Sequence, residues 1–145
     1  MNRLARSLVM LGWLLFMMSM FLTAIVTVGI SFPGWQATLV GFGSLDDVRT
    51  EPLQAIIAFA AALTNVVMLA SPWGVLRPQS RMSRGLLLAT VVAIFVNAVF
   101  GVFRDRALLL GPGYFVWVAS FLVVAAGFYL PRNRELGQAR GVPQP

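Results

Sequence analysis

Four stretches of this chain, Leu8–Ile30, Leu53–Ser71, Gly85–Phe103 and Gly113–Leu130, contain no charged residue. A hydrocarbon layer of roughly 30 Å calls for about 17 to 25 helical residues at ~1.5 Å rise each, so every one of these runs is long enough to cross it. Lipid offers nothing to bond an exposed backbone N–H or C=O, which restricts such runs to helices that satisfy their own backbone. The expected fold is therefore an all-α bundle of four transmembrane helices, forming one integral membrane domain over residues 1–145. Loops at 31–52, 72–84 and 104–112 connect the spans, and residues 131–145 form a flexible tail. Composition agrees, because 59% of the 145 residues are hydrophobic and only 11% are charged, against about a quarter in an ordinary soluble domain. Arg3 and Arg6 also suit the start of a secretory signal, but a signal's apolar core is about 7 to 15 residues. The first run is longer than that, so it is expected to remain as a span.

Breaker residues mark the span ends. Thr50 is placed to cap the second span ahead of Pro52, and Pro72 is placed to close it. Gly111, Pro112 and Gly113 open the fourth span and Pro131 ends it. In the long first loop, Ser44 followed by Asp47 suggests the cap of a short helix leading into span two.

Charge sets the expected orientation. Arg3, Arg6, Arg77, Arg81, Arg84, Arg132, Arg134 and Arg140 fall on one side, and only Arg49, Arg104 and Arg106 on the other. The positive-inside bias then puts both termini in the cytoplasm, as in a multi-pass protein of a bacterial inner membrane. Trp73 and Tyr129 at the inner boundary, and Trp35, Tyr114 and Trp117 towards the outer one, fit the same frame as interfacial aromatics. Arg77, Arg81, Arg84, Arg132 and Arg134 are the expected contacts to anionic headgroups. The arginines lie between apolar segments and do not cluster on one face, so membrane lipid is the expected partner and nucleic acid is not.

Several chemistries are excluded by residue type. The chain has no cysteine, no histidine and no lysine. Thiol redox work, imidazole acid–base catalysis and Schiff-base formation are thereby removed. No acidic, basic or histidine side chain lies within any span, whereas proton-coupled transport generally needs one inside the membrane. Small multidrug exporters also have four short spans, but they carry a glutamate in the first, and Leu8–Ile30 has none. Asp46 and Asp47 are adjacent at a helix start and do not face each other as a catalytic pair would. No catalytic residue, cofactor or metal is expected.

What remains is a sparse set of uncharged polar residues inside the spans. Asn65 sits about 9 Å from the inner end of span two, nearly level with Thr90, about 7.5 Å into span three. Asn97 lies about 18 Å from the inner side, where Ser120 at about 15 Å and Ser19 at about 16 Å are rival partners. Ser19, Asn65, Thr90, Asn97 and Ser120 are therefore read as interhelical hydrogen-bonding residues, or else as the lining of a polar pocket. Small residues share their faces. Ser19, Thr23 and Thr27 form one ridge, Ala58, Ala61, Ala62 and Asn65 a second, Thr90, Ala93, Asn97 and Gly101 a third, and Gly113, Ser120 and Gly127 a fourth.

The apolar first loop is expected to lie along the interface or fold over the bundle. With Trp35, Phe42, Asp46 and Asp47, and with Arg104, Asp105 and Arg106 from the other outer loop, it forms a candidate docking surface. These features favour a non-enzymatic scaffold, accessory or interaction subunit that binds another membrane protein or itself. A channel or carrier for a small neutral or anionic solute, with a polar path near Asn65, Thr90, Asn97 and Ser120, is the alternative.

Overall fold

The computed structural model describes residues 3–76, 81–103 and 108–139, with 81 and 131–139 described as backbone. Four of its helices are long and apolar enough to cross a membrane. In chain order the elements are α1 (Arg3–Phe21), β1 (Thr23–Thr27), β2 (Ile30–Pro33), α2 (Gly34–Gly43), a 3-10 segment (Ser44–Arg49), α3 (Pro52–Leu76), α4 (Arg81–Phe103), β3 (Leu109–Leu110) and α5 (Pro112–Ala139). The long helices form a ring in the order α1, α5, α4, α3, with α2 leaning on α3 beside α1. A cluster that includes Val9, Phe16, Met68, Phe121, Val124 and Phe128 fills the centre.

The first apolar run does not remain helical to Ile30. Helix α1 ends at Phe21, where the sequence turns to Thr-Ala-Ile-Val-Thr-Val. Branched β-carbons crowd the preceding turn of a helix and pack well on a pleated sheet, so this segment becomes β1. It pairs antiparallel with β2, from Thr23 opposite Pro33 to Thr27 opposite Ile30. Gly29, at φ +81°, supplies the left-handed residue that the reversal needs. The other edge of β1 pairs with β3, Ile25 opposite Leu110 and Val26 opposite Leu109, giving the order β2-β1-β3. The expected ridge of Ser19, Thr23 and Thr27 therefore dissolves: Ser19 is helical and buried, and both threonines belong to the strand.

Pro72 does not close α3 either; the helix runs through it to Leu76. A proline inside a helix removes the N–H that would bond the carbonyl four residues back. Here that carbonyl belongs to Met68, and it accepts a 2.8 Å bond from the buried Ser71 hydroxyl. The neighbouring serine thus stands in for the missing donor. At the other end of α3, Thr50 is not the cap. The carbonyl of Glu51 accepts the first helical bond, from Ala55 N–H at 3.0 Å, and Pro52 occupies the first helical position. Thr50 instead donates its hydroxyl to Asp47 O at 3.0 Å. The short helix before it does form, yet Ser44 does not cap it: the Ser44 hydroxyl bonds the carbonyls of Gly41 and Ala55, at 2.6 and 2.9 Å. Helix α5 likewise continues past Pro131 to Ala139, where a flexible tail was expected.

Glycines set how closely the elements approach. A β-carbon on Gly12 would lie 2.9 Å from Ser120 O, one on Gly127 would lie 3.0 Å from Ala5 O, and one on Gly113 would lie 2.7 Å from Leu22 O. Helices α1 and α5 are thus antiparallel and in backbone contact along their whole shared length, which makes the Gly113–Ser120–Gly127 ridge their seam. The Ala58–Ala61–Ala62 ridge serves a different partner. It receives α2, with Gly41 against Ala58 O and the Ala62 methyl.

Candidate functional site: the Asn65 junction and its cavity

Asn65 joins three helices. Trp117 on α5 donates its indole Nε1–H to Asn65 Oδ1 at 2.8 Å, and Asn65 Nδ2 donates to Thr38 Oγ1 on α2 at 2.9 Å. An indole nitrogen can only donate, so the amide oxygen must face Trp117 and the amide nitrogen must face Thr38. The Thr38 hydroxyl passes its own hydrogen to Gly34 O at 2.9 Å, which completes a chain with one possible direction. In apolar surroundings an unpaired amide is costly, and bonds of this kind average about 0.6 kcal/mol in membrane proteins.

A second amide lies one helix over. Asn97 Nδ2 donates to Thr64 Oγ1 at 3.3 Å, and Thr64 donates in turn to Ala61 O at 2.6 Å. Tyr114 from α5 donates its hydroxyl to the backbone carbonyl of Asn97 at 2.6 Å. Asn97 is fully buried, and its Oδ1 has no hydrogen-bond partner. Because the Thr64 hydrogen already points to Ala61, turning the Asn97 amide over would set two acceptors against each other.

The other expected partners do not reach across helices. Ser19 donates to Phe16 O at 2.6 Å, Thr90 to Leu86 O at 2.6 Å and Ser120 to Trp117 O at 2.5 Å. Each is a bond to a carbonyl three or four residues earlier, the local alternative open to any helical serine or threonine. Thr90 is therefore not the partner of Asn65, and neither Ser19 nor Ser120 is the partner of Asn97. Four residues outside the expected polar set complete the network: Thr38, Thr64, Tyr114 and Trp117. The last two belong to a stripe at helical spacing, continued by Phe121. Its rings meet edge to face, with centroids 5.9 Å apart for both Tyr114–Trp117 and Trp117–Phe121.

Beside Asn65 the packing is incomplete. A partly enclosed cavity of about 120 Å³ lies between α1, α2, α3, α5 and β1, with Ser19, Thr38, Ala61, Asn65, Tyr114 and Trp117 among its walls. Its surface is overwhelmingly apolar. Thr90, Asn97 and Ser120 do not line it, so the five polar residues do not share one path.

The remaining candidates lie apart from this junction. Trp35 and Phe42 project from α2 and are exposed, as are Asp46 and Asp47 on the 3-10 segment. Phe42 packs edge to face on Phe59 with centroids 5.9 Å apart. Arg84 is exposed on α4. Arg81, Arg132 and Arg134 fall within α4 and α5, and Arg77, Arg104, Asp105 and Arg106 lie outside the described residues. Among the described residues, no three His, Cys, Asp or Glu side chains gather where they could hold a metal ion. Comparison with protein-family models, with curated proteins and with solved structures finds no match.

Proposed function

We propose that this is a non-enzymatic protein of a bacterial inner membrane, both termini cytoplasmic, which works by association as a scaffold or accessory subunit. The observation that supports this most is the state of the Asn65 amide. Both of its polar ends are already bonded within the molecule, to Trp117 and Thr38, so the most conspicuous polar group in the spans serves assembly of the bundle. What is left to act on other molecules is surface. Near the sheet, α2 and the 3-10 segment expose Trp35, Leu39, Val40, Phe42 and Leu45 next to Asp46 and Asp47. Aromatic anchors at the centre of a patch with charge at its rim are the usual make-up of an association surface. Another membrane protein, or a second copy, is the partner this reading requires. The orientation rests on the eight-to-three division of arginines.

Gentle extraction from native membranes, followed by mass determination of the complex, tests this reading. A stable larger species that is lost on joint Trp35→Ala and Phe42→Ala substitution supports it, and a monomer with nothing co-purifying contradicts it. The carrier or channel reading draws support from one feature, the cavity that touches Asn65. Under that reading, solute flux into liposomes responds to Asn65→Leu.

A further inference from the structure

The cavity beside Asn65 poses a physical problem that the bundle alone does not solve. At about 120 Å³ it is comparable to an engineered apolar cavity of about 150 Å³ that stays dry and admits benzene. Water is a poor filler for it, because a buried water needs about two to four polar partners. The walls are overwhelmingly apolar, and the few polar side chains on them already hold partners. Asn65 is bonded at both ends, Thr38 donates to Gly34 O, Ser44 reaches the carbonyls of Gly41 and Ala55, and Ser19 donates to Phe16 O. Leaving the space empty forfeits dispersion contacts along every wall. A protein with four membrane-crossing helices sits in a medium made of the one filler that suits such walls.

The way in can be located. Of the residues that line the cavity only Val40 is exposed, at 58%; the rest are buried or half-buried. Val40 lies on α2 next to the exposed Leu39, so the opening is bordered by apolar side chains. A flexible hydrocarbon chain can pass there without desolvating any charge.

We propose that the cavity between α1, α2, α3, α5 and β1 takes the end of a membrane lipid's acyl chain, which enters past Val40 and packs against Ala61 and the Trp117 ring. The chain fills volume and makes no hydrogen bond. Selectivity therefore follows chain shape and length, and the headgroup contributes little. Leu39 and Val40 also belong to the exposed α2 patch read above as an association surface, so a partner seated over them closes this entrance, and the test uses the protein alone in vesicles.

Heavy-atom quenching tests it. The protein, with Trp13, Trp35 and Trp73 replaced by Phe so that Trp117 is the sole indole, is reconstituted in vesicles of phosphatidylcholine brominated on its acyl chains. The proposal expects Trp117 emission to be quenched and the quenching to be lost in Ala61→Leu, whose side chain occupies the space. Ala37→Leu, on the α2 wall, gives the same result and serves where Ala61→Leu does not fold. Native mass spectrometry from detergent is expected to show one retained lipid, absent from the filled variants. Unquenched Trp117, quenching unchanged by both filling substitutions, or a retained lipid unaffected by them overturns the proposal. Quenching by a water-soluble agent in place of the brominated chains also overturns it and assigns the space to solvent.

Discussion

Two interfaces in this bundle hold helices together by opposite means. Between α1 and α5, Gly12, Gly113 and Gly127 remove side chains from the seam, and backbones touch from Ala5 to Thr23. Between α3, α5 and α2, Asn65 reaches across a gap, and a cavity persists beside it. Lipid gives little hydrophobic drive for helices to associate, so each pair needs either dense dispersion contact or directed polar bonds. The first interface uses shape and tolerates no added atom. The second uses hydrogen bonds, which fix position at a few points and leave room between them.

Added volume and removed bonds therefore damage different places. The largest effect is expected for Gly12→Val, whose side chain has no space beside Ser120 O and the Val124 backbone. Thermal unfolding in detergent should show a loss of roughly 1–3 kcal/mol or more, with α1 released from α5. Next, Asn65→Leu leaves the Trp117 indole N–H without an acceptor and removes the bond to Thr38. A loss of about 1–3 kcal/mol is expected, and the Asn65–Trp117 double-mutant cycle should give a coupling near 0.6 and below about 1.7 kcal/mol.

Ser71→Ala should cost about 1 kcal/mol, because Met68 O loses its stand-in donor. In a Pro72→Ala background the same change should cost close to nothing, since the backbone N–H is restored, and full additivity would contradict the account of how α3 passes Pro72. The smallest effect is expected at Asn97→Leu. Its 3.3 Å bond to Thr64 is long, and the substitution also removes the buried, unpartnered Oδ1, so the two changes offset to within about 1 kcal/mol in unfolding measurements.

The four long helices were legible because charge-free length is a direct requirement of the bilayer, and the Gly113–Ser120–Gly127 seam because small residues at sevenfold spacing stay on one face. Hydropathy could not show where α1 stops: Thr23 to Pro33 is as apolar as a helix interior, and only its β-branched run and Gly29 hint at a hairpin. Pro72 reads as a stop in the sequence because the rescue by Ser71 depends on a side-chain rotamer. Asn65 and Asn97 stood out as amides in apolar runs. Their partners did not: α3 runs five residues past Ser71 to Leu76 and α4 starts four residues before Gly85, at Arg81, so the depths counted from the span ends shift, and depth leaves rotation about the helix open. The insertion of α2 beside α3 also brought Thr38 to the position where Thr90 had been expected. Hydroxyls at Ser19, Thr90 and Ser120 had a second acceptor available on their own helices, and they use it.

The central claim is that the Asn65 amide ties α5 to α3 through Trp117. Nuclear magnetic resonance of the Trp117 indole N–H in lipid nanodiscs tests it most directly. The account predicts a downfield, hydrogen-bonded proton that moves upfield in Asn65→Leu and stays in place in Asn97→Leu. A proton indifferent to Asn65→Leu, or one already at the unbonded position in the unaltered protein, would contradict it.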